Sequence, residues 1–456
     1  MVELRRKFYD RLMQWKNTRH QECLLVKGAR QIGKTFIIEK FGREQYESFI
    51  EFNFILDPDA CSIFDGSLKA EDLCRKISAY DASRRLLPGR TLIFLDEIQE
   101  CANARTALKS FALDGRYDVV ASGSLLGIKY KNKKSRDRHE PKSIPVGYER
   151  QVTMHSLDFE EFLWARGVTE EAIEVLRGYC ERREIVPDAV NRKYLDLLKE
   201  YMIVGGMPAV VKAYVEAGDF GPVQEEQEKI LASYIDDIHK YADTTDIPKI
   251  EACYRAIPRL LAKENRKFKY AEVEKGGSER KYASSVDWLC DASFAARALN
   301  VTVTEVPLNA QVRDGWFKLY LSDIGLLSAL YGTETKGLLY SGRLKGNAKG
   351  GLYENLIAGV LDRKGIPLYY FKSEDGAREV EFMIERDGGI VPVEVKASNG
   401  ATISLNEALE NPQVLYGYKF IDGNVGVSGK KITLPHYMAM FISVARLKIT
   451  LANTGK

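Results

Sequence analysis

Neither a disulfide framework nor a zinc site is written into this sequence. Its seven cysteines, at positions 23, 61, 74, 101, 180, 253 and 290, are odd in number, scattered, and form no C-x-x-C pair. They read as reduced, mostly buried thiols, the usage of a cytoplasmic protein. The five histidines are equally dispersed, with no paired spacing that suggests a metal. No uncharged apolar run is long enough to span a bilayer, so no membrane partner is expected. The residues Met1 to Lys7 are basic but lead into no apolar stretch, which argues against a secretory signal. An excess of one charge is missing too. The 67 Lys and Arg stand against 64 Asp and Glu, a net +3, which argues neither for nor against nucleic acid.

What is present is more specific. The 456 residues are too many for one core and suggest two to four domains. Gly28-Ala29-Arg30-Gln31-Ile32-Gly33-Lys34-Thr35 is a complete G-x-x-x-x-G-K-[ST] run. A short apolar strand, Cys23 to Val26, precedes it, and a helical pattern from Phe36 to Phe41 follows. In that strand–loop–helix setting the glycines let backbone N–H groups point at phosphate oxygens, and the helix N-terminus adds partial positive charge. Lys34 is expected to reach the β- and γ-phosphates of ATP, and the Thr35 hydroxyl to ligate Mg²⁺.

A second apolar run, Thr91 to Leu95, reads as a buried parallel strand and ends in Asp96-Glu97. Asp96 is expected to hold the Mg²⁺ shell, and Glu97 to act as general base on the attacking water. A third strand, Asp118 to Ala121, runs into Ser122-Gly123-Ser124. Ser122 and Ser124 are candidates for sensing the γ-phosphate, or form an ordinary strand-end turn. Arg105, Arg116 and Arg150 are the conceivable arginine fingers.

Four regions follow from the patterning. Residues 1–165 alternate strands and helices, as a parallel sheet requires. Residues 166–245 read as a helical lid, broken at Gly205-Gly206-Met207-Pro208. Residues 246–341 suggest a winged-helix-like segment, with a ribbon at Val301–Val306 and Trp316–Leu321. It is either a DNA contact through Lys267, Lys269, Lys275, Arg280 and Lys281, or a packing module. Gly342 to Gly351, rich in Gly and Lys, reads as a linker before an α/β domain, 342–456. The run Lys129 to Lys142, with seven basic and two acidic residues, is a nucleic-acid-touching or simply solvated loop.

The last region carries Glu381 on one strand and Glu394-Val395-Lys396 on the next. Two strand-end carboxylates can hold Mg²⁺ while a lysine positions water, and Glu354 on the preceding helix is a third carboxylate candidate. Glu381 stands where aspartate is usual in the PD-(D/E)xK pattern. The alternatives are a β-meander with alternating surface charge and a nuclease fold that no longer cuts.

Taken together, these motifs resemble a family of bacterial and archaeal AAA-type ATPases joined to a C-terminal nuclease-like domain. The resemblance rests on Val26 to Lys34, Phe94 to Gln99, Ile144 to Gly147, Leu157 to Phe162, Gly205 to Pro208, Phe317 to Leu327 and Glu394 to Ser398. It implies an α/β P-loop core, a helical lid, a winged-helix segment and a restriction-endonuclease-like domain, with Lys34, Thr35, Asp96 and Glu97 in the roles above. Family members often carry a basic residue where Tyr148 stands here, with Arg150 nearby. The expected function is a cytoplasmic, Mg²⁺-dependent ATPase coupled to a module that acts on or docks DNA. A slow nucleotide-gated switch for a protein partner, the ATPase component of a defence or toxin system, and a homo-oligomer all stay open.

Overall fold

The computed structural model describes residues 3–18, 22–80, 85–124, 147–397, 400 and 402–442. The basic run Lys129 to Lys142 lies outside the described residues.

The N-terminal sheet is parallel throughout, in the order β2-β3-β4-β1-β5. Its strands are β1 (Cys23–Gly28), β2 (Ser48–Asn53), β3 (Thr91–Asp96), β4 (Asp118–Ser124) and β5 (Glu149–Thr153). The period-2 alternation sends successive residues to opposite cores. Leu24, Val26, Leu92, Phe94 and Val120 join one buried cluster, while Cys23, Leu25, Ile93, Leu95, Val119 and Ala121 join another. The second cluster is closed by helices Ala70–Tyr80 and Ala102–Asp114. The first does not stop at the sheet. It runs through helices Asp188–Val204, Pro208–Ala217, Val223–Tyr241 and Ile247–Leu261 into the C-terminal half.

There a second sheet of eight strands forms, in the order β12-β13-β11-β10-β9-β8-β6-β7. Its members are β6 (Ala295–Val301), β7 (Val312–Leu321), β8 (Tyr369–Lys372), β9 (Glu379–Arg386), β10 (Gly389–Val395), β11 (Gly417–Ile421), β12 (Gly426–Ser428) and β13 (Lys431–Pro435). Two expectations are corrected here. The ribbon is no separate wing: its first strand is Ala295–Val301 rather than Val301–Val306, and it pairs in parallel with β8 across the supposed boundary. Nor is Gly342–Gly351 a linker. Residues Gly346–Arg363 are one helix, and a Cβ on Gly351 would sit 2.2 Å from the Leu261 carbonyl oxygen. Glycine stands there for close helix packing, a reason indistinguishable in sequence from flexibility.

One buried knot ties the halves together. The Asp323 carboxylate accepts from Ser156 Oγ at 2.9 Å, Gly206 N at 2.8 Å and, as a helix N-cap, Gly325 N at 2.9 Å. Arg363 Nη2 donates to Ser156 Oγ and to the Ser322 carbonyl, at 2.9 and 3.1 Å. Gly205 has φ 79°, and a Cβ on it would meet Asp323 Oδ1 at 2.2 Å, so the Gly-Gly pair is what lets this carboxylate approach the chain.

Candidate nucleotide site and a second acidic pair

The loop between β1 and helix Lys34–Gln45 turns through two left-handed residues, Gln31 at φ 61° and Gly33 at φ 87°. Lys34 is buried and lies back along its own loop, donating from Nζ to the Gly28 and Ala29 carbonyls at 3.1 and 2.8 Å. Burial pulls its ammonium down to about 8, with Glu97 and Asp96 opposing that fall. Arg6, from the N-terminal segment, braces the same loop. Its Nη1 donates to the Ile32 carbonyl at 2.8 Å while its Nε pairs with Glu161 at 3.1 Å.

Asp96 is where the strands converge. It accepts from Thr35 Oγ1 at 2.9 Å, from Asn53 Nδ2 at 2.9 Å and, through its other oxygen, from Ser122 Oγ. The structure therefore brings Thr35, in the first turn of the helix after β1, together with Asp96 on β3 and Ser122 on β4. Sequence reasoning missed Asn53. Its signal was the register, since Asn53 on β2 pairs directly with Asp96 on β3. Ser124 ends β4 beside Gly28.

Glu97 leaves the strand in a left-handed conformation, φ 54° and ψ 44°, uncommon for a non-glycine residue. Gln99 Nε2 donates to its carboxylate. Backbone strain of this kind concentrates at working sites, because the surrounding structure must offset it.

Beside Gly33 an apolar cleft of about 330 Å³ opens, lined by Leu4, Phe36, Pro208 and Ala209, with Arg6 and Lys212 at its edge. Phe36 keeps 54 % of its surface exposed there, directly after Thr35. Nothing in the P-loop pattern announces this cleft, because its walls come from the N-terminal segment and the Gly-Gly-Met-Pro turn.

The candidate arginine fingers are all engaged within the chain. Arg105 is buried against Glu149 at 3.1 Å, Arg116 pairs with Asp114 at 2.9 Å, and Arg150 with Glu22 at 3.1 Å.

In the second sheet, Lys396 Nζ lies 3.2 Å from Glu381 Oε1 and 2.6 Å from Glu394 Oε1. Burial, then the neighbouring Glu394, pushes the Glu381 carboxyl up to about 8, against the pull of Lys396. Glu394 Oε2 is buried without a hydrogen-bond partner. Glu354 stands close enough for its charge to raise Glu381 further, but its oxygens are engaged elsewhere. Its oxygens are taken by Arg266 at 2.8 Å and Lys318 at 2.7 Å, with Tyr320 donating as well. Among the described residues no group of three or more His, Cys, Asp or Glu is arranged to hold a metal ion.

Of the basic residues expected near DNA, Lys281 is paired with Glu274 at 2.7 Å, and Lys275 and Arg280 are exposed. Lys267 instead lies over the Trp316 ring, 3.4 Å from its centroid, with Arg313 at 4.0 Å from the same ring. Burial and the like charges of Arg313, Lys269 and Lys372 lower the Lys267 ammonium.

No helix among the described residues is long and apolar enough to cross a membrane. Three family models match the chain: an AAA domain over residues 20–163, and domains of unknown function over 195–337 (DUF8612) and 349–435 (DUF4143). No curated protein matches it. Among solved structures it is similar to a Walker-type ATPase of Pyrococcus abyssi, 15 % identical at TM-score 0.43, covering 72 % of this chain and 96 % of that one. It is also similar to a signal transduction ATPase with numerous domains and a tetratricopeptide repeat sensor from Pyrococcus horikoshii, 11 % identical at TM-score 0.27, covering 80 % and 46 %. A Pif1 helicase from Candida albicans is 15 % identical at TM-score 0.24, covering 43 % and 48 %. Likenesses this distant carry no argument by themselves. The match of residues 20–163 to the AAA domain, over the stretch that holds Lys34, Thr35, Asp96 and Glu97, supports a P-loop ATPase.

Proposed function

We propose that this chain binds ATP with Mg²⁺ and hydrolyses it. The observation that carries the reading is the convergence on Asp96 of the Thr35 and Ser122 hydroxyls and the Asn53 amide, next to a loop braced around Lys34. Thr35 and Asp96 offer hard oxygen donors 2.9 Å apart, the chemistry Mg²⁺ takes. A bound Mg²⁺ would supply charge neutralisation between the phosphates. Lys34 neutralises phosphate charge, the backbone N–H groups of residues 29–34 cradle it, and Glu97 accepts the proton of the attacking water. The apolar cleft at Leu4, Phe36 and Pro208 takes the base, which places the sugar between it and Thr35.

The test is ATP turnover by the full chain with Mg²⁺. Glu97→Gln is expected to bind ATP and to turn it over roughly 10²–10⁴-fold more slowly, as loss of a positioned base predicts. Lys34→Ala is expected to lose tight binding. Wild-type turnover by Glu97→Gln would move the catalytic role elsewhere.

For the second sheet we infer a divalent-cation site at Glu381 and Glu394 that docks or acts on a DNA backbone. Two features favour it: the buried Glu394 Oε2 that lacks a partner, and the cluster of Lys267, Lys269 and Arg313, none in an ion pair among the described residues. Mn²⁺ binding lost in Glu394→Ala, together with DNA retention lost on neutralising Lys267 and Arg313, would support it. A chain that binds neither reduces this half to a protein-docking surface read out by the nucleotide.

A further inference from the structure

The P-loop is held from above by one face of one helix. On helix Val223–Tyr241, the residues Ser233, Asp237 and Tyr241 are spaced four apart and so share a face. Ser233 Oγ accepts from Gln31 Nε2 at 3.2 Å. Asp237 Oδ1 lies 3.0 Å from Arg30 Nε, and the Tyr241 hydroxyl accepts from Arg30 Nη2 at 3.3 Å. Two consecutive loop residues, inside the phosphate-binding run, thus meet three positions one turn apart on the helix, Ser233 and Tyr241 by hydrogen bonds and Asp237 by an ion pair whose Oδ1 accepts no hydrogen bond.

Asp237 is the unusual member. Its side chain is 2 % exposed, and among the described residues Arg30 is its one ion-pair partner. Burial raises its carboxyl to about 6, Arg30, Lys240 and Lys34 pull the other way, and the charge on Glu97 adds to the rise. A buried carboxylate beside a phosphate cradle is opposed by what the cradle binds. A γ-phosphate brings further negative charge to the same guanidinium.

The same helix also reaches the second half of the chain, through the flank of that face. The Tyr234 ring stacks on Phe294 with centroids 4.0 Å apart and planes 2° from parallel, and Phe294 directly precedes β6 of the second sheet. A movement of the helix off the loop is therefore felt at that sheet.

Resting on the ATP-binding reading above, we propose that Asp237 is a positioning residue that makes Arg30 choose between the Val223–Tyr241 helix and the γ-phosphate, and so reports triphosphate binding to the second sheet. Arg30 pairs with Asp237 when the third phosphate is absent and turns to the γ-phosphate when it is present. The helix is then released from the loop. With ADP the pair persists, since the β-phosphate is already served by Lys34 and the loop N–H groups.

The proposal is tested on the full chain with Mg²⁺, measuring binding of ADP and of a non-hydrolysable ATP analogue by calorimetry, with hydrogen exchange of residues 223–241 as a second readout. Asp237→Asn removes the competitor for Arg30. Triphosphate binding is expected to tighten relative to ADP by about fivefold, the size of one partly exposed ion pair. Exchange along the helix should no longer differ between the two nucleotides. Asp237→Glu is expected to keep the wild-type ratio. Arg30→Lys, at a part-exposed position where folding is not at stake, should shift the ratio the other way by weakening the triphosphate.

Asp237→Asn weakening both nucleotides alike would overturn the proposal and leave Asp237 a structural support. If that variant does not fold, an unchanged ratio in Arg30→Lys overturns it instead. A wild-type chain that binds neither nucleotide overturns the ATP-binding reading itself, a result distinct from either.

Discussion

At the residue scale, the chemistry that sequence made legible is the chemistry packed into short runs. Lys34 and Thr35 are neighbours in one loop, and Asp96-Glu97 are neighbours at one strand end, so pattern alone announces them. Asn53, Arg6 and Asp237 reach the same site from distant segments, and only register and packing place them there. The acidic pair shows the same limit from the other side. Glu381, Glu394 and Lys396 are visible as a spacing, whereas the engagement of Glu354 with Arg266 and Lys318 is visible only in the packing. The Glu381 carboxyl, raised from 4.5 to about 8, predicts a pH effect with a definite sign. The folded state holds this proton more tightly than the unfolded one, so the contribution is complete below about 4.5 and is lost as pH rises through about 8. With a chelator present, the melting temperature should fall across that window, and Glu381→Gln should flatten the fall. An unchanged slope in Glu381→Gln would assign the dependence to other groups.

At the scale of elements, strands were read well because a two-residue alternation or a solid apolar run is a local signal. β1, β3 and β4 lie within a few residues of where the patterns place them, and Glu381 and Glu394 fall on the successive strands β9 and β10. The helix opening at Phe159 carries a signal just as local: Asp158 caps it and Glu161 reciprocates, two orphaned N–H groups satisfied by the Asp-x-x-Glu run. Glycine was the misleading residue. In Gly346–Arg363 it serves close approach to Ile247–Leu261, and this gives a sharp test. Helix propensity says Gly351→Ala should stabilise by up to about 1 kcal/mol. A Cβ driven against the Leu261 backbone says it should destabilise by roughly 1–3 kcal/mol. We expect the second outcome in the urea midpoint, and a stabilised variant would restore the linker interpretation.

At the scale of the whole molecule, the two sheets share one continuous apolar cluster, so cutting the chain between them removes core from both. Truncation after Gly351 would leave a third of the Gly346–Arg363 helix, strip β8 from β6, and remove Arg363 from Ser156 and the Ser322 carbonyl. The expected product is insoluble, whereas recovery of a soluble fragment that binds ATP would show two independent units. The same continuity explains why Gly342–Gly351 is no solvated linker: Gly and Lys content suits an exposed segment, and here Gly351 and Leu352 are buried. The order of the second sheet carries a consequence for the newborn chain. β6 and β7 emerge from the ribosome as a hairpin, but the strand that covers the other edge of β6 is translated roughly 70 residues later, at about 5–20 residues per second. For several seconds of every synthesis, a row of unsatisfied backbone groups on Ala295–Val301 is open to whatever strand arrives first, and shielding that edge falls to the cell's chaperones.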